Sequence, residues 1–213
     1  MKFLPSQRSA LASCALVILL ASAAPSYPAA RHPEERGLPI LRSVVADLPE
    51  ADLQNFSLAI NPKDGSLWLA NGTGLLTFDG AWWRQVPLKG EGGTAFAVAT
   101  DAQGRVAVGG VDNFGLIERD RAGRLSYLPL THLLPPDRRQ FGQVLSIAAT
   151  LRGFLYLTDD ALWSWDGQRL SHVTDFPKSP PFPEMFGIEG ENYLWWAQGL
   201  HRVEGGRVSL VAG

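Results

Sequence analysis

The chain has little that a disulfide scaffold, a metalloprotein or a nucleic-acid binder would need. Its one cysteine, Cys14, lies inside the first apolar run, so the chain beyond that run can form no disulfide. A lipidation motif is only loosely matched there, because most of the apolar core follows the cysteine and does not precede it. The 19 basic and 21 acidic side chains leave a net charge of −2 and are scattered, which excludes the basic stripe of a nucleic-acid surface. No apolar run reaches the ~20 residues a membrane-spanning helix requires.

Catalytic patterns are missing as well. The four histidines, His32, His132, His172 and His201, show no H-E-x-x-H or H-x3-H spacing, and without cysteine partners nothing supports a metal site. No G-x-S-x-G elbow occurs. Gly110 to Gly115 has the outer glycines of a phosphate loop, but Leu116-Ile117 stands where the phosphate-reaching lysine and its hydroxyl neighbour belong. Asp159-Asp160 sits between two apolar strands, where Asp is favoured for local turn bonding. The sequence therefore predicts no enzyme, no cofactor and no metal.

The N-terminus reads as an export signal over residues 1–23. Lys2 and Arg8 are its positive region, Leu11 to Leu20 its apolar core, and Ala21-Ser22-Ala23 an A-x-A-like cleavage site. Pro25 disfavours cutting directly before it, so the Ala23–Ala24 bond is the expected scissile one, and a periplasmic location is implied. Residues 24–53 form a leader in which Leu38 to Leu48 is apolar enough for one strand. In a propeller such a strand can complete the last blade.

What the chain does have is 7 Trp, 22 Gly and a repeat. Leu67-Trp68-Leu69-Ala70-Asn71 recurs as Val106-Ala107-Val108-Gly109-Gly110, as Leu155-Tyr156-Leu157-Thr158-Asp159 and as Leu194-Trp195-Trp196-Ala197-Gln198, at steps of 39, 49 and 39 residues. A period near ~40 with several short strands per copy is the signature of propeller blades. The expected fold is all-β: about four four-stranded blades, near 56–88, 95–130, 144–176 and 185–211, in an incomplete ring. Asp-Gly and Asn-Gly steps supply the tight turns between strands. Strands apolar on both faces suit blades sandwiched between neighbours, so Trp68, Trp163, Trp165, Trp195 and Trp196 are assigned to the core between blades. Trp82 and Trp83 are expected to be partly exposed.

Two links are long: Thr131 to Gln143 and the proline-rich Phe176 to Glu184. In a propeller these share one face with the loops between second and third strands, and that face commonly carries the ligand. The binding candidates are therefore Asn71, Asp112, Asn113, Asp159 and Gln198 in those loops, and His132, Arg138, Arg139 and Lys178 in the links. Arg138-Arg139 is the most pointed, since two guanidinium groups can hold a carboxylate or sulfate bidentately. A solvated charged loop is the alternative.

The run Asp64-Gly65-Ser66-Leu67-Trp68-Leu69-Ala70-Asn71, then Gly74-Leu75-Leu76-Thr77-Phe78-Asp79-Gly80, resembles the repeat of the two-component regulator propeller family. Phe114-Gly115-Leu116-Ile117 and Leu162-Trp163-Ser164-Trp165-Asp166-Gly167 extend the resemblance across Gln54 to Val211. It implies an exported sensor domain of a bacterial signalling protein, with no catalytic residues, whose relatives continue into further blades, a β-sandwich, a membrane helix and a cytoplasmic output. Four blades are roughly half of such a ring, so the chain is expected to be a fragment or truncated gene, or else to complete a ring by another route. The leading reading is a ligand-sensing input domain for a small molecule or oligosaccharide. An exported propeller enzyme acting on polysaccharide, and a structural module that self-associates through an open blade edge, are the alternatives.

Overall fold

A computed structural model describes residues 48–88, 93–177, 181–196 and 199–211. The expected export signal, residues 38–47 of the expected closing strand, Lys178 and Gln198 lie outside the described residues. The chain divides into two compact units, Met1–Val44 and Val45–Gly213, and every described residue belongs to the second.

Among the described residues sixteen strands make four sheets, each antiparallel and each in chain order. Blade 1 holds β1 (Asn55–Ile60), β2 (Leu67–Asn71), β3 (Gly74–Phe78) and β4 (Trp83–Val86). Blade 2 holds β5 (Ala97–Thr100), β6 (Val106–Gly109), β7 (Phe114–Arg119) and β8 (Leu125–Pro129). Blade 3 holds β9 (Val144–Ala149), β10 (Phe154–Thr158), β11 (Ala161–Trp165) and β12 (Leu170–Asp175). Blade 4 holds β13 (Glu184–Ile188), β14 (Glu191–Trp196), β15 (Gly199–Glu204) and β16 (Arg207–Leu210). The first strands stand side by side, β1 against β5, β5 against β9 and β9 against β13. This is the arrangement of propeller blades around an axis.

The hairpins have a local cause that recurs. In Asp101-Ala102-Gln103-Gly104-Arg105 the Asp101 carboxylate accepts the N–H groups of Gln103 (3.0 Å) and Arg105 (2.8 Å), and the Arg105 Nε returns to it at 2.6 Å. Asp120 does the same for Ala122 and Arg124, at 2.9 Å each, with Arg124 Nε at 2.7 Å. Each turn needs one left-handed residue, and Gly104 (φ +81°) and Gly123 (φ +80°) supply it. Backbone N–H donors hold the carboxyls of Asp79, Asp120 and Asp166 below their ordinary pKa, led by those of Trp82, Arg124 and Arg169 respectively.

Packing occurs between sheet faces. Trp68, Ala70, Leu75 and Val86 of blade 1 meet Val98, Val106, Val108 and Tyr127 of blade 2. Ala99, Ala107 and Phe114 of blade 2 meet Phe154, Tyr156, Trp163 and Trp165 of blade 3. Leu155, Leu157 and Leu162 of blade 3 meet Leu194 and Val203 of blade 4. These partners correct the repeat alignment in blade 3. Tyr156 faces back toward blade 2, as Val106 and Val108 face blade 1, so the counterpart of Leu67 and Val106 is Phe154, one residue earlier than the sequence alignment placed it. The strand Phe154–Thr158 is buried on both faces, so hydrophobicity does not mark its register, and a slip of one residue exchanges the faces.

Trp195 also departs from expectation. Its side chain alternates with those of Leu194 and Trp196, which pack on blade 3, and it is 44% exposed on the far face of blade 4. On blade 1 the face turned away from blade 2 carries exposed Leu58 and Ile60, with Leu76 buried in the same row as Leu58. Trp83 packs on Phe78 at 5.0 Å between ring centres.

The tryptophans give a direct stability test. Trp68 is 2% exposed with Nε1 donating to Ser66 Oγ at 2.9 Å, whereas Trp82 is 72% exposed. Trp68→Ala is expected to cost about 4 kcal/mol and Trp82→Ala less than about 0.5 kcal/mol, measured by urea unfolding. The turn aspartates predict a pH dependence. Their folded pKa values are depressed, so their contribution is present above the unfolded carboxylate value and lost as pH falls through the folded ones. The urea midpoint should drop between about pH 4 and pH 2, and Asn at Asp79, Asp120 and Asp166 together should flatten that drop.

Candidate ligand face and interblade cleft

The loops after the second strands and the links between blades lie at one end of the sheets, and all six leading site candidates are there. Asn71 ends β2 and is 0% exposed. Its Oδ1 accepts from Asp52 N (3.1 Å), Thr73 N (3.0 Å) and Thr73 Oγ1 (2.9 Å), and its Nδ2 faces the Asp52, Gln54 and Asn55 oxygens at 2.8–2.9 Å. Its polar atoms thus serve to fasten the chain's entry into blade 1 to the β2–β3 turn. Asn113 is buried too, its Oδ1 accepting from the Tyr127 hydroxyl. Burial raises the pKa of that phenol, which stays protonated as the donor. The sequence placed both asparagines in a ligand site, and the structure turns both inward, Asn71 toward backbone groups of the entry and the turn and Asn113 toward the Tyr127 hydroxyl.

Asp112 and Asp159 act as a pair. Asp112 Oδ1 accepts from Gly142 N at 2.7 Å while its own N–H donates to Gly142 O at 2.8 Å. Asp159 Oδ2 accepts from Gln143 N at 2.9 Å and its N–H donates to Gln143 O at 3.1 Å. The loop of blade 2 and the loop of blade 3 therefore clamp the end of the link between them. Phe141, just before, is buried at 5.3 Å from the Phe114 ring. Gly142 has φ +80°, and a Cβ there would fall on Asp159 Oδ2, so the clamp demands glycine.

Arg138 and Arg139 diverge. Arg138 ends the short 3-10 turn Pro136–Arg138 and reaches across to Asp175 at the end of β12, Nη1 to Oδ1 at 2.7 Å. His172 Nε2 lies 2.9 Å from the same oxygen. Bonding from Arg138 holds the Asp175 carboxyl below its ordinary range, although both side chains are well exposed and the pair is screened. Arg139 folds back on its own link, Nε to Leu134 O at 3.2 Å and Nη2 to His132 O at 3.0 Å. The two guanidinium groups do not form one fork.

The opposite end of the blades holds a cleft that the sequence did not single out. It lies between blades 3 and 4, has a volume of about 710 Å³, and is lined by Arg152, Ser164, Ser171, Asn192, Arg202 and Glu204 among others. Arg202 pairs with Glu191, which also accepts from Tyr193 OH at 2.8 Å. Asn192 Nδ2 donates to Ala149 O at 3.0 Å, bridging the two blades. Hydroxyls, an amide and balanced charges suit a polar, hydroxyl-rich ligand more than a strongly charged one. Its residues come from four separate turns and the strand ends beside them, stretches that read in sequence only as hairpins.

Asn71→Ala should cost about 3 kcal/mol, because it removes a fully buried amide that ties the entry of blade 1 to the β2–β3 turn, and Gly142→Ala about 2 kcal/mol, through strain and loss of the clamp; denaturant unfolding measures both.

No protein-family model and no curated protein matches the chain. Solved structures do. The extracellular domain of the hybrid two-component system BT4673 of B. thetaiotaomicron is similar at a TM-score of 0.52 and 16% identity, over 78% of this chain and 23% of that one. That of BT3049 from the same organism gives 0.51 and 12%, over 80% and 24%. Virginiamycin B lyase of Staphylococcus aureus gives 0.53 and 12%, over 73% and 54%. The chain thus spans about a quarter of the length of the extracellular domains it matches. Among the described residues no helix is long and apolar enough to cross a membrane. The likeness and the sheet order together identify the fold: the chain is built of β-propeller blades.

Proposed function

We propose that the chain is an exported, non-enzymatic ligand-sensing module, the input part of a bacterial signal-transduction receptor working in the periplasm. The observation that carries this reading is the likeness of its blades to extracellular domains of two-component systems, to which the N-terminal run read as an export signal adds support. The use of Asp112 and Asp159 in backbone bonding supports the non-enzymatic part, because carboxylates engaged in a structural clamp are poorly placed for general acid–base work. The ligand is a small molecule or an oligosaccharide. Two places suit it: the link face around Arg138, where an anionic group would compete with Asp175, and the cleft between blades 3 and 4.

Sensing requires that the ligand bind one conformation better than another. Arg138 and Asp175 join a link to an outer strand through an exposed pair, and Arg202 and Glu191 sit beside the cleft; both are contacts a ligand can exchange.

The reading is tested by thermal unfolding in the presence of a library of oligosaccharides and small anions, since a ligand that binds only the native state raises the midpoint. A ligand at 100 times its Kd should stabilise by about 2.7 kcal/mol. Loss of the shift in Arg138→Ala places the ligand on the link face, and loss in Arg202→Ala places it in the cleft. Turnover of a glycan that Asp159→Asn abolishes would favour the polysaccharide enzyme instead.

A further inference from the structure

Positive charge is matched unevenly along the rims of the junctions between blades. In the cleft of blades 3 and 4, Arg152 and Arg202 line the same space as Asp166, Glu191 and Glu204. At the same end of blades 1 and 2 lies a second depression, of about 510 Å³, lined by Arg84, Arg119 and Arg124 and otherwise by uncharged residues such as Gln85 and Leu125. No carboxylate is among the residues that line it.

The sheets set two of these arginines on facing surfaces. Ala59, Trp68, Thr77 and Arg84 are successive cross-strand partners on blade 1, and Ala59 and Trp68 of that row pack on blade 2. On blade 2, Ile117 and Tyr127 are partners and pack on blade 1. Side chains alternate along a strand, so Arg119, two residues beyond Ile117 and paired with Leu125, lies on that same face. Arg84 is thus on the surface turned toward blade 2, and Arg119 on the surface turned toward blade 1. Arg124 joins them from the turn before β8.

Their hydrogen bonds leave donors to spare, since a guanidinium carries five N–H groups. Arg84 meets Asp79 through Nη2 at 2.8 Å, and Arg124 meets Asp120 through Nε at 2.7 Å, both at the surface, where pairing is screened. Asp79 and Asp120 are also engaged by their own turns, each Oδ1 accepting two backbone N–H groups. Arg119 donates to Gly123 O at 3.3 Å, and among the described residues it forms no ion pair. Asp64 feels its charge, behind the bonds from Ser66 that chiefly lower that carboxyl's pKa, but is not bonded to it.

We propose that the depression between blades 1 and 2 binds a tetrahedral oxyanion, the phosphate or sulfate group of a small molecule, through the spare N–H groups of Arg84, Arg119 and Arg124. Such a group presents three oxygens in different directions, which suits donors arriving from two blades better than the flat pair of oxygens of a carboxylate. The bound group neutralises an arginine that has no carboxylate of its own and fastens the outer edges of blades 1 and 2 together. The inference rests on this junction alone and stands apart from the sensor reading.

The test is isothermal titration calorimetry of the full chain at about 0.15 M salt, with methyl phosphate, methyl sulfate and acetate as probes. One of the two esters should bind at one site per chain, at least about tenfold more tightly than acetate, and the tighter ester tells phosphate from sulfate. Arg119→Gln and Arg84→Gln should each weaken that binding at least about tenfold, the loss of a charge-assisted hydrogen bond. Arg119→Lys, which keeps the charge and loses the fork, should fall between the parent and Arg119→Gln. Arg138→Gln and Arg202→Gln should leave the affinity unchanged. A folded chain that binds neither ester overturns the proposal, and so does binding that survives Arg119→Gln or is lost in Arg138→Gln or Arg202→Gln. Acetate bound as tightly as the esters overturns it too, in favour of a carboxylate ligand. Arg119 is exposed, so its variants should keep the cooperative thermal transition of the parent; should they fail to fold, Arg124→Gln, at a side chain 84% exposed, takes their place with the same expected loss.

Discussion

Everything in this chain depends on burying one apolar sheet face against another. A single four-stranded sheet of short strands has no interior, and one apolar face cannot be hidden within it. Trp68 shows how the requirement is met: a large ring on β2 disappears only because Val106 and Val108 of the next blade cover it. The same dependence runs through Phe114 and Tyr156, whose rings lie 4.5 Å apart across the next junction, and through Leu155, Leu162 and Leu194 across the one after. Stability in such an architecture is close to a sum of nearest-neighbour terms, so each blade is only as stable as the contacts on its two sides.

Around that constraint the polar residues divide by the end of the sheets at which they lie. At one end, Asp101, Asp120 and Asp166 close hairpins by collecting backbone N–H groups, work that is local and repeats from blade to blade. At the other, Asn71, Asp112 and Asp159 bond groups distant in sequence and tie loops and links together. Side chains that a sequence offers as ligand contacts are in this fold the means by which irregular backbone is satisfied without water.

This explains which parts were legible in advance. The strands and hairpins were, because a period near forty and Asp-Gly turns are local signals, and so was the propeller. The facing of blade 3 was not: Phe154-Leu155-Tyr156-Leu157 is apolar at every position, and only the partners decide which residues look back. Trp195 was misjudged for the complementary reason, since an apolar strand residue predicts a need for cover without showing that cover exists. Of the candidate site residues, Asn71 and Asn113 could not be told from ligand-binding asparagines, because the same amide chemistry serves an internal carbonyl and an external hydroxyl. Arg138 and Arg139 are neighbours in sequence, yet their hydrogen bonds run to different elements, which no spacing rule reveals. The cleft between blades 3 and 4 was invisible, being assembled from the turns and strand ends of four separate hairpins in two blades.

The clamp on Gly142 has a mechanical side. Blades 2 and 3 are joined by it, by Tyr156 OH donating to Gly115 O at 3.1 Å, and by Arg105 reaching Arg152 O at 2.9 Å while lying over the Phe154 ring. Blade 4 is tied to blade 3 by its apolar face and by the Asn192 bond, with an open cleft alongside. Blades 2 and 3 thus share more polar ties than blades 3 and 4, so a force applied in the cleft would meet less polar resistance on the side of blade 4.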